Sequence, residues 1–263
     1  MGFMSNIITI LTDFGTRDGY VGSVKGVIKK MCPTTEIIDI THDIDPFDIR
    51  LGAYTIRNYY NEFPAGTIHL AVVDPGVGGK RKAIILRTND YQFVGPDNGL
   101  FHYVSEMEQF TVLEVLEDKL NMKRISSTFH ARDIFAPAAA KLAVGQKAES
   151  FCSVLNKINT FEQTGWQKKE DRLIIDPLKA DHFGNIIFSL NKSELPDLSD
   201  IQSIRFKKFE TNQINNYYAA ADKGKPLVLW NSLGFLEIGV NQGSAAAYFD
   251  FNTENDKLEL IFK

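Results

Sequence analysis

Much that would commit a chain to a membrane, a polyanion or a covalent staple is scarce here. Only two cysteines occur in 263 residues, Cys32 and Cys152, far apart and without metal-type spacing. That excludes a disulfide-stapled scaffold and reads as two reduced thiols in a cytoplasmic protein. No apolar run approaches the ~20 residues of a membrane-spanning helix. The apolar stretch Ile7 to Leu11 is too short for a secretory signal, and Asp13 follows at once. Basic residues are not in excess: 29 Lys and Arg face 33 Asp and Glu, a formal net charge of −4. Neither nucleic acid nor an anionic membrane is therefore an expected partner. Internal repeats and low-complexity tracts are missing, as is a Gly-x-Ser-x-Gly elbow. What remains, 44% hydrophobic and 24% charged residues, is the composition of a soluble globular protein of one large domain or two ordinary ones.

The most informative stretch is Thr67 to Arg81, Thr-Ile-His-Leu-Ala-Val-Val-Asp-Pro-Gly-Val-Gly-Gly-Lys-Arg. Its apolar, β-branched start predicts a strand buried on both faces. Asp74-Pro75-Gly76 ends that strand, which places an acid where open α/β sheets bind their ligands. Gly76, Gly78 and Gly79 let the backbone double back, so that Arg81 can return beside Asp74. A phosphate loop is excluded in detail: Arg81 follows Gly79-Lys80, and Asp74 occupies the place of the first Walker glycine. By itself the loop fits either a tight hairpin with an ion pair or a functional site.

In chain order, Asn6 to Leu11 is a first strand that ends in Thr12-Asp13-Phe14-Gly15. Asp18 can cap a helix carrying Val21, Val24, Ile28 and Met31 at helical spacing. Glu36 to Ile40 is a second strand, followed by His42-Asp43-Ile44-Asp45-Pro46, with Asp45 as helix cap and Pro46 at the first helical position. The β-α-β-α-β order implies a parallel sheet with right-handed crossovers. Lys82 to Thr88 and Gln92 to Gly95 read as strands about the turn Asn89-Asp90, and Phe110 to Val115 as another. Ser127 to Asp133 leads into a helix over 134–144. From Arg172 on, short strands and turns suggest a barrel or sandwich, with Leu173 to Ile175, Ile186 to Leu190, Leu227 to Trp230, Leu236 to Val240, Ala245 to Phe249 and Leu258 to Phe262 as strands. The fold class is thus α/β: an N-terminal domain over 1–160 with a mainly parallel sheet, a linker over 161–171, and a smaller β-rich, barrel-like domain over 172–263.

Two constellations invite chemistry. His42, Asp43 and Asp45 have metal-binding side chains, but no second His-rich cluster completes a shell, so helix capping and strand flanking are the preferred roles and no metal is expected. Asp74, Arg81 and His130 lie at strand and helix ends, which converge on one edge of an α/β domain.

Taken in order, Thr12-Asp13-Phe14-Gly15, Asp74-Pro75-Gly76-Val77-Gly78 through Arg81, Gly95 to Gly99, Phe129 to Asp133, Asp181-His182-Phe183-Gly184-Asn185, Asn231 to Gly234 and Asn241 to Ser244 resemble the S-adenosyl-L-methionine (SAM) hydroxide adenosyltransferases, relatives of the fluorinase and chlorinase. The match runs from Thr12 to about Phe249. The resemblance implies an α/β domain, a β-barrel-like domain, and a homotrimer that binds SAM between the N-terminal domain of one subunit and the C-terminal domain of the next. It implies attack of water or hydroxide on ribose C5′, giving adenosine and methionine, without a cofactor. It makes Asp74, Arg81 and His130 the water-activating set, with His130 accepting or sharing a proton. It gives Asp13 the ribose hydroxyls and, with Asp18, the substrate side of the N-terminal site. Asp181, Phe183 and Asn185 then contact the methionine part and adenine, and the segments around Ser232-Leu233 and Asn241-Gln242 read the adenine. Ala131 departs from the glycine usual after this histidine, and its methyl group could narrow the nucleophile pocket. A SAM-dependent halogenase, a metal-dependent hydrolase and a non-catalytic SAM or adenosine sensor are the alternatives.

Overall fold

The computed structural model describes residues 6–120, 125–161, 165–195 and 200–263. The chain divides into two compact units, Met1–Phe161 and Glu162–Lys263. In the first unit the elements run β1 (Ile7–Thr12), α1 (Tyr20–Met31), β2 (Glu36–Thr41), α2 (Ile49–Arg57), β3 (Ile68–Val72), β4 (Ala83–Arg87), β5 (Gln92–Pro96), α3 (His102–Met107), β6 (Thr111–Val115), α4 (Ala136–Ala143) and β7 (Cys152–Leu155). They build a seven-stranded sheet in the order β2-β1-β3-β5-β4-β6-β7. The pairs β2-β1, β1-β3 and β3-β5 are parallel, as the β-α-β-α-β pattern requires. The hairpin β4-β5 about Asn89-Asp90 reverses the direction, so β5-β4-β6-β7 is antiparallel.

Every residue of β3 is buried, which is what a central strand covered on both faces demands. One face packs on α1 and α4 through Val24, Ile28, Ala138, Ala139 and Leu142. Two capping expectations need correction. Gly19, not Asp18, is the N-cap of α1 and makes no side-chain cap bond; Asp18 is exposed just ahead of it. Asp48, not Asp45, caps α2, accepting from the Leu51 N–H at 2.9 Å. Pro46 and Phe47 stay outside the helix because Phe47 turns into the left-handed region, φ 70°.

His69 sits fully buried in β3, its ring stacked on Phe93 with 4.9 Å between centroids. Its one hydrogen-bonded nitrogen, Nδ1, pairs with Thr9 Oγ1 at 2.8 Å, and Nε2 is buried without a hydrogen-bond partner. Burial pushes this imidazole down from 6.5 to about 3. Between those values the unfolded chain binds the proton and the folded chain does not, so stability falls as pH falls through that window. The expected loss by pH 5 is about 2 kcal/mol. Urea titrations at pH 7 and pH 5 should show it in the wild type, and His69→Phe should remove most of the difference. An unchanged pH dependence in that variant would assign the acid sensitivity to other groups.

The second unit holds β8 (Trp166–Lys169), β9 (Arg172–Ile175), β10 (Pro177–Ala180), β11 (Ile186–Asn191), β12 (Ile201–Phe206), β13 (Phe209–Thr211), β14 (Pro226–Trp230), β15 (Phe235–Val240), α5 (Ala245–Phe249) and β16 (Leu258–Phe262). Two antiparallel sheets, β10-β11-β15-β14 and β13-β12-β16-β9-β8, share a core of Phe188, Leu190, Ile204, Phe206, Ile238 and Leu260. Part of the expected linker, 161–171, lies outside the described residues, and Trp166–Lys169 within it pairs with β9. Ala245–Phe249, expected as a strand, is a helix. Ser244 caps it, accepting from Ala247 N–H at 3.1 Å, and its alanines favour that state. Among the described residues no helix is long and apolar enough to cross a membrane.

Candidate active site

The parallel half of the first sheet places the site. Thr12 of β1 lies in register with Val72 of β3, so Asp13 and Asp74 leave neighbouring strands at the same carboxyl-terminal edge. β5 ends beside them, and Asn98 Nδ2 ties its loop to Val73 O at 2.9 Å. After β2, His42 is buried and bonds Thr12 Oγ1 through Nδ1 at 2.9 Å. Its Nε2 lies 3.2 Å from Asp39 Oδ1. Asp43 and Asp45 are exposed. Among the described residues no group of three or more His, Cys, Asp and Glu side chains is placed to hold a metal ion.

The loop after β3 folds back through Val77 N–H to Asp74 O and Gly79 N–H to Gly76 O. Gly78, at φ +79°, passes so close to the His130 loop that a Cβ there would stand 2.9 Å from Ser127 O. Only glycine suits that approach. The return brings Arg81 onto Asp74: Arg81 Nε donates to both carboxylate oxygens at 3.0 Å, and Nη2 also donates to Oδ2. The same Nη2 donates to His130 Nδ1 at 2.7 Å. Side-chain exposures of 10% for Arg81 and 5% for Asp74 put the pair out of bulk water, where charge interactions are strong. Phe135 lies beneath the guanidinium, 5.1 Å from Cζ to the ring centroid.

His130 is buried and opens a π-helical turn, Ala131–Phe135, that leads into α4. Such turns re-aim side chains at functional sites. Asp133 anchors the turn, accepting from Ile125 N–H, Ser126 N–H and Arg132 Nε. Burial alone would raise its carboxyl; Arg132 and the two backbone donors hold it below the ordinary range. A guanidinium has no acceptor, so Nδ1 of His130 is the acceptor in the bond with Arg81, and a neutral imidazole then carries its proton on Nε2. His130 in this arrangement offers a donor rather than a basic nitrogen. Ala131 is itself buried, against the core beneath the turn.

Asp13 is half-buried and accepts from the backbone N–H of Phe47 at 3.0 Å. Burial raises its carboxyl, the charge of Asp74 adds to that, and backbone donors pull it back. Phe47, a residue that sequence reasoning passed over, is 69% exposed beside it. Only its position after Pro46 hinted at a special turn. Asp13, Asp74, Arg81 and His130 are thus brought together; Asp18 stays on the surface.

In the second unit Asp181 closes its own loop, accepting from Phe183 N–H, Asn185 N–H and Asn185 Nδ2. Gly184, at φ +82°, leaves no room for a Cβ against Ser244 Oγ, which joins this loop to the turn at Asn241-Gln242. Asn241 Nδ2 bonds Ala221 O at 2.7 Å, and Gln242 is exposed with φ 54°. The turn with Ser232 and Leu233 lies elsewhere. It precedes β15, whereas Asn241 follows β15, so the two turns stand at opposite ends of that strand. There Leu233 O accepts from Asn191 Nδ2 at 3.0 Å, and Ser232 is exposed. Missed by sequence reasoning are Tyr218 and Glu237, hydrogen-bonded at 2.6 Å on the outer face of the sheet.

The SAM hydroxide adenosyltransferase N-terminal domain profile matches residues 8–152, and the C-terminal domain profile matches residues 178–257. The chain belongs to this family. It is 34% identical to the (R)-S-adenosyl-L-methionine hydrolase of Methanocaldococcus jannaschii over 98% of this chain and 96% of that protein. It is 24% identical to the fluorinase of Nocardia brasiliensis, with 91% and 92% covered. The crystal structure of an uncharacterized conserved protein from Thermotoga maritima superposes with a TM-score of 0.83 at 34% identity, covering 97% of this chain and 99% of that one. The α/β fold with a second antiparallel unit is therefore the fold of the family.

Proposed function

We propose that this family member is an enzyme that hydrolyses SAM to adenosine and L-methionine by attack of hydroxide at ribose C5′. The observation that carries this reading is the buried Asp74–Arg81–His130 chain at the carboxyl edge of the parallel strands. The sulfonium departs as a neutral thioether, so the leaving group needs no acid and the reaction no cofactor. What the protein must provide is a nucleophile held in line with the C–S bond. Arg81 stabilises hydroxide relative to water by its charge, Asp74 fixes the guanidinium, and His130 Nε2–H is a second donor to the oxygen. Asp13, acceptor-only when ionised, suits the ribose hydroxyls. The relatives' name specifies the (R) sulfonium epimer, and the same preference is proposed here.

The test is incubation with SAM enriched in either sulfonium epimer, with chromatography of the products. Adenosine and methionine should form in equal amounts, faster from the (R) form and undiminished by a chelator. Intact SAM after prolonged incubation would favour a sensor, and loss of activity with the chelator a metal-dependent hydrolase. We further propose a homotrimer whose sites combine Asp13 of one subunit with Asn185 of the next. Mixing inactive Asp13→Ala with inactive Asn185→Ala subunits should then restore part of the activity; no recovery after demonstrated subunit exchange counts against it.

A further inference from the structure

A carboxylate in the middle of a central strand is costly to bury, and Glu237 of β15 is 2% exposed. Its neighbours Leu236 and Ile238 point into the core, so Glu237 and Gly239 share the outer face of the sheet. Tyr218 lies across that face. A Cβ on Gly239 would come within 2.9 Å of the tyrosine ring and 3.3 Å of Asn185 Oδ1, so the glycine is the seat of both. The hydroxyl of Tyr218 donates to Glu237 Oε1 at 2.6 Å. Its oxygen in turn accepts from Asn185 Nδ2 at 3.3 Å, while Nδ2 also donates to Asp181 Oδ2 at 3.0 Å.

Hydrogen-bond arithmetic gives this chain a direction. An ionised carboxylate only accepts, so the Tyr218 proton points to Glu237. The tyrosine oxygen must then accept from Asn185, and both amide hydrogens of Asn185 are used. The amide cannot turn over, and Oδ1, on a residue only 6% exposed, is left as an acceptor beside Gly239. Phe183, 74% exposed on the same loop, offers a flat apolar surface. A neutral acceptor beside an aromatic face fits a planar base that offers N–H.

We propose that Glu237 is a positioning residue that sets the direction of the Glu237–Tyr218–Asn185 chain and so makes this face select a 6-amino purine over a 6-oxo purine. The proposal rests on the nucleoside substrate inferred above. A purine with an exocyclic amine donates to Oδ1; one with an oxo group sets acceptor against acceptor.

Calorimetric titration with adenosine and inosine tests this in the wild type, Glu237→Met, Tyr218→Phe and Glu237→Gln. The wild type should prefer adenosine by at least about tenfold, the worth of one well-placed hydrogen bond. Glu237→Met and Tyr218→Phe should bring the preference to within about threefold; Tyr218→Phe, which leaves the buried carboxylate without its tyrosine donor, should also melt below the wild type. Glutamine can donate as well as accept, so Glu237→Gln should restore the preference only in part. Full restoration by glutamine, or a wild-type preference in Glu237→Met and Tyr218→Phe, would overturn the proposal. Should Glu237→Met fail to fold, Tyr218→Phe decides alone, because Tyr218 is partly exposed. A wild type that hydrolyses SAM without preferring adenosine over inosine overturns the relay and leaves the reaction standing. One that prefers adenosine but never hydrolyses SAM does the reverse, and one that binds neither nucleoside overturns both.

Discussion

Arg81→Met is expected to lower kcat for SAM hydrolysis by about 10²- to 10³-fold, with KM changed by less than about threefold. The asymmetry follows from where Arg81 stands. Its guanidinium is committed to Asp74 and His130, and in the proposed mechanism its charge acts on the nucleophile rather than on the resting substrate. Such a group is felt most where charge develops, in a site shielded from water. Methionine keeps the apolar stem over Phe135 and removes the charge. Lysine should not rescue the variant well, because a point charge cannot fork onto Asp74 and still reach His130. Asp74→Ala is the harsher change: it leaves Arg81 buried without its counter-charge, and a cost of about 3–5 kcal/mol in stability is expected. Single-turnover kinetics, with SAM binding measured separately, distinguish these outcomes. A kcat for Arg81→Met within a factor of a few of the wild type would remove Arg81 from the chemistry.

Parts of this site were legible before any coordinates. The apolar run into Asp74-Pro75-Gly76 states both that a buried strand ends there and that an acid follows. The β-α-β-α-β pattern then puts Asp13 and Asp74 on the same edge, since parallel neighbours end together. Caps were harder. Asp18 stands one residue ahead of the α1 cap, Gly19; Asp45 and Asp48 both precede α2, and the choice between them depends on where the backbone leaves the left-handed turn at Phe47, which local sequence does not fix. Ala245–Phe249 was misread because five apolar residues are too few to show a period. Trp166–Lys169 is almost wholly exposed and polar, and it is a strand because β9 pairs with it. β12 breaks its alternation at Ser203 and Ile204, both buried, just after a register shift between Ile201 and Ser203, so the two-residue period is hidden. Tyr218 and Glu237 are 19 residues apart in sequence, and only the register of β15 with the loop across it brings them together. An acid between Leu236 and Ile238 was the one available signal.

The nucleophile provides the sharpest separation from the fluorinase relatives. Incubation in ¹⁸O-water is expected to place the label in the adenosine 5′-hydroxyl and leave methionine unlabelled. No 5′-halo-nucleoside should appear, even at high chloride or fluoride. A halide needs a desolvated pocket with donors and net positive potential. Here the Asp74 carboxylate lies against Arg81 and cancels most of its charge, leaving little attraction for an anion. Water, unlike a halide, enters this site neutral and needs no net attraction; once it lies beside the guanidinium, the local positive group eases loss of its proton. Turnover should therefore rise with pH until the activated water is fully ionised, because hydroxide is the better nucleophile. If Arg81 is the charge that stabilises it, as proposed, Arg81→Met should move that rise to higher pH as well as lower its plateau. His130→Gln should lower the plateau, through loss of the Nε2–H donor, while leaving SAM affinity near the wild-type value. Label-free adenosine would exclude water as the nucleophile, and a halogenated nucleoside as the main product at high chloride would replace hydroxide by halide in this site. The halogenated product would also require that Asp74 be protonated or turned away from Arg81 during turnover, which the Asp74→Asn variant would then mimic with undiminished activity.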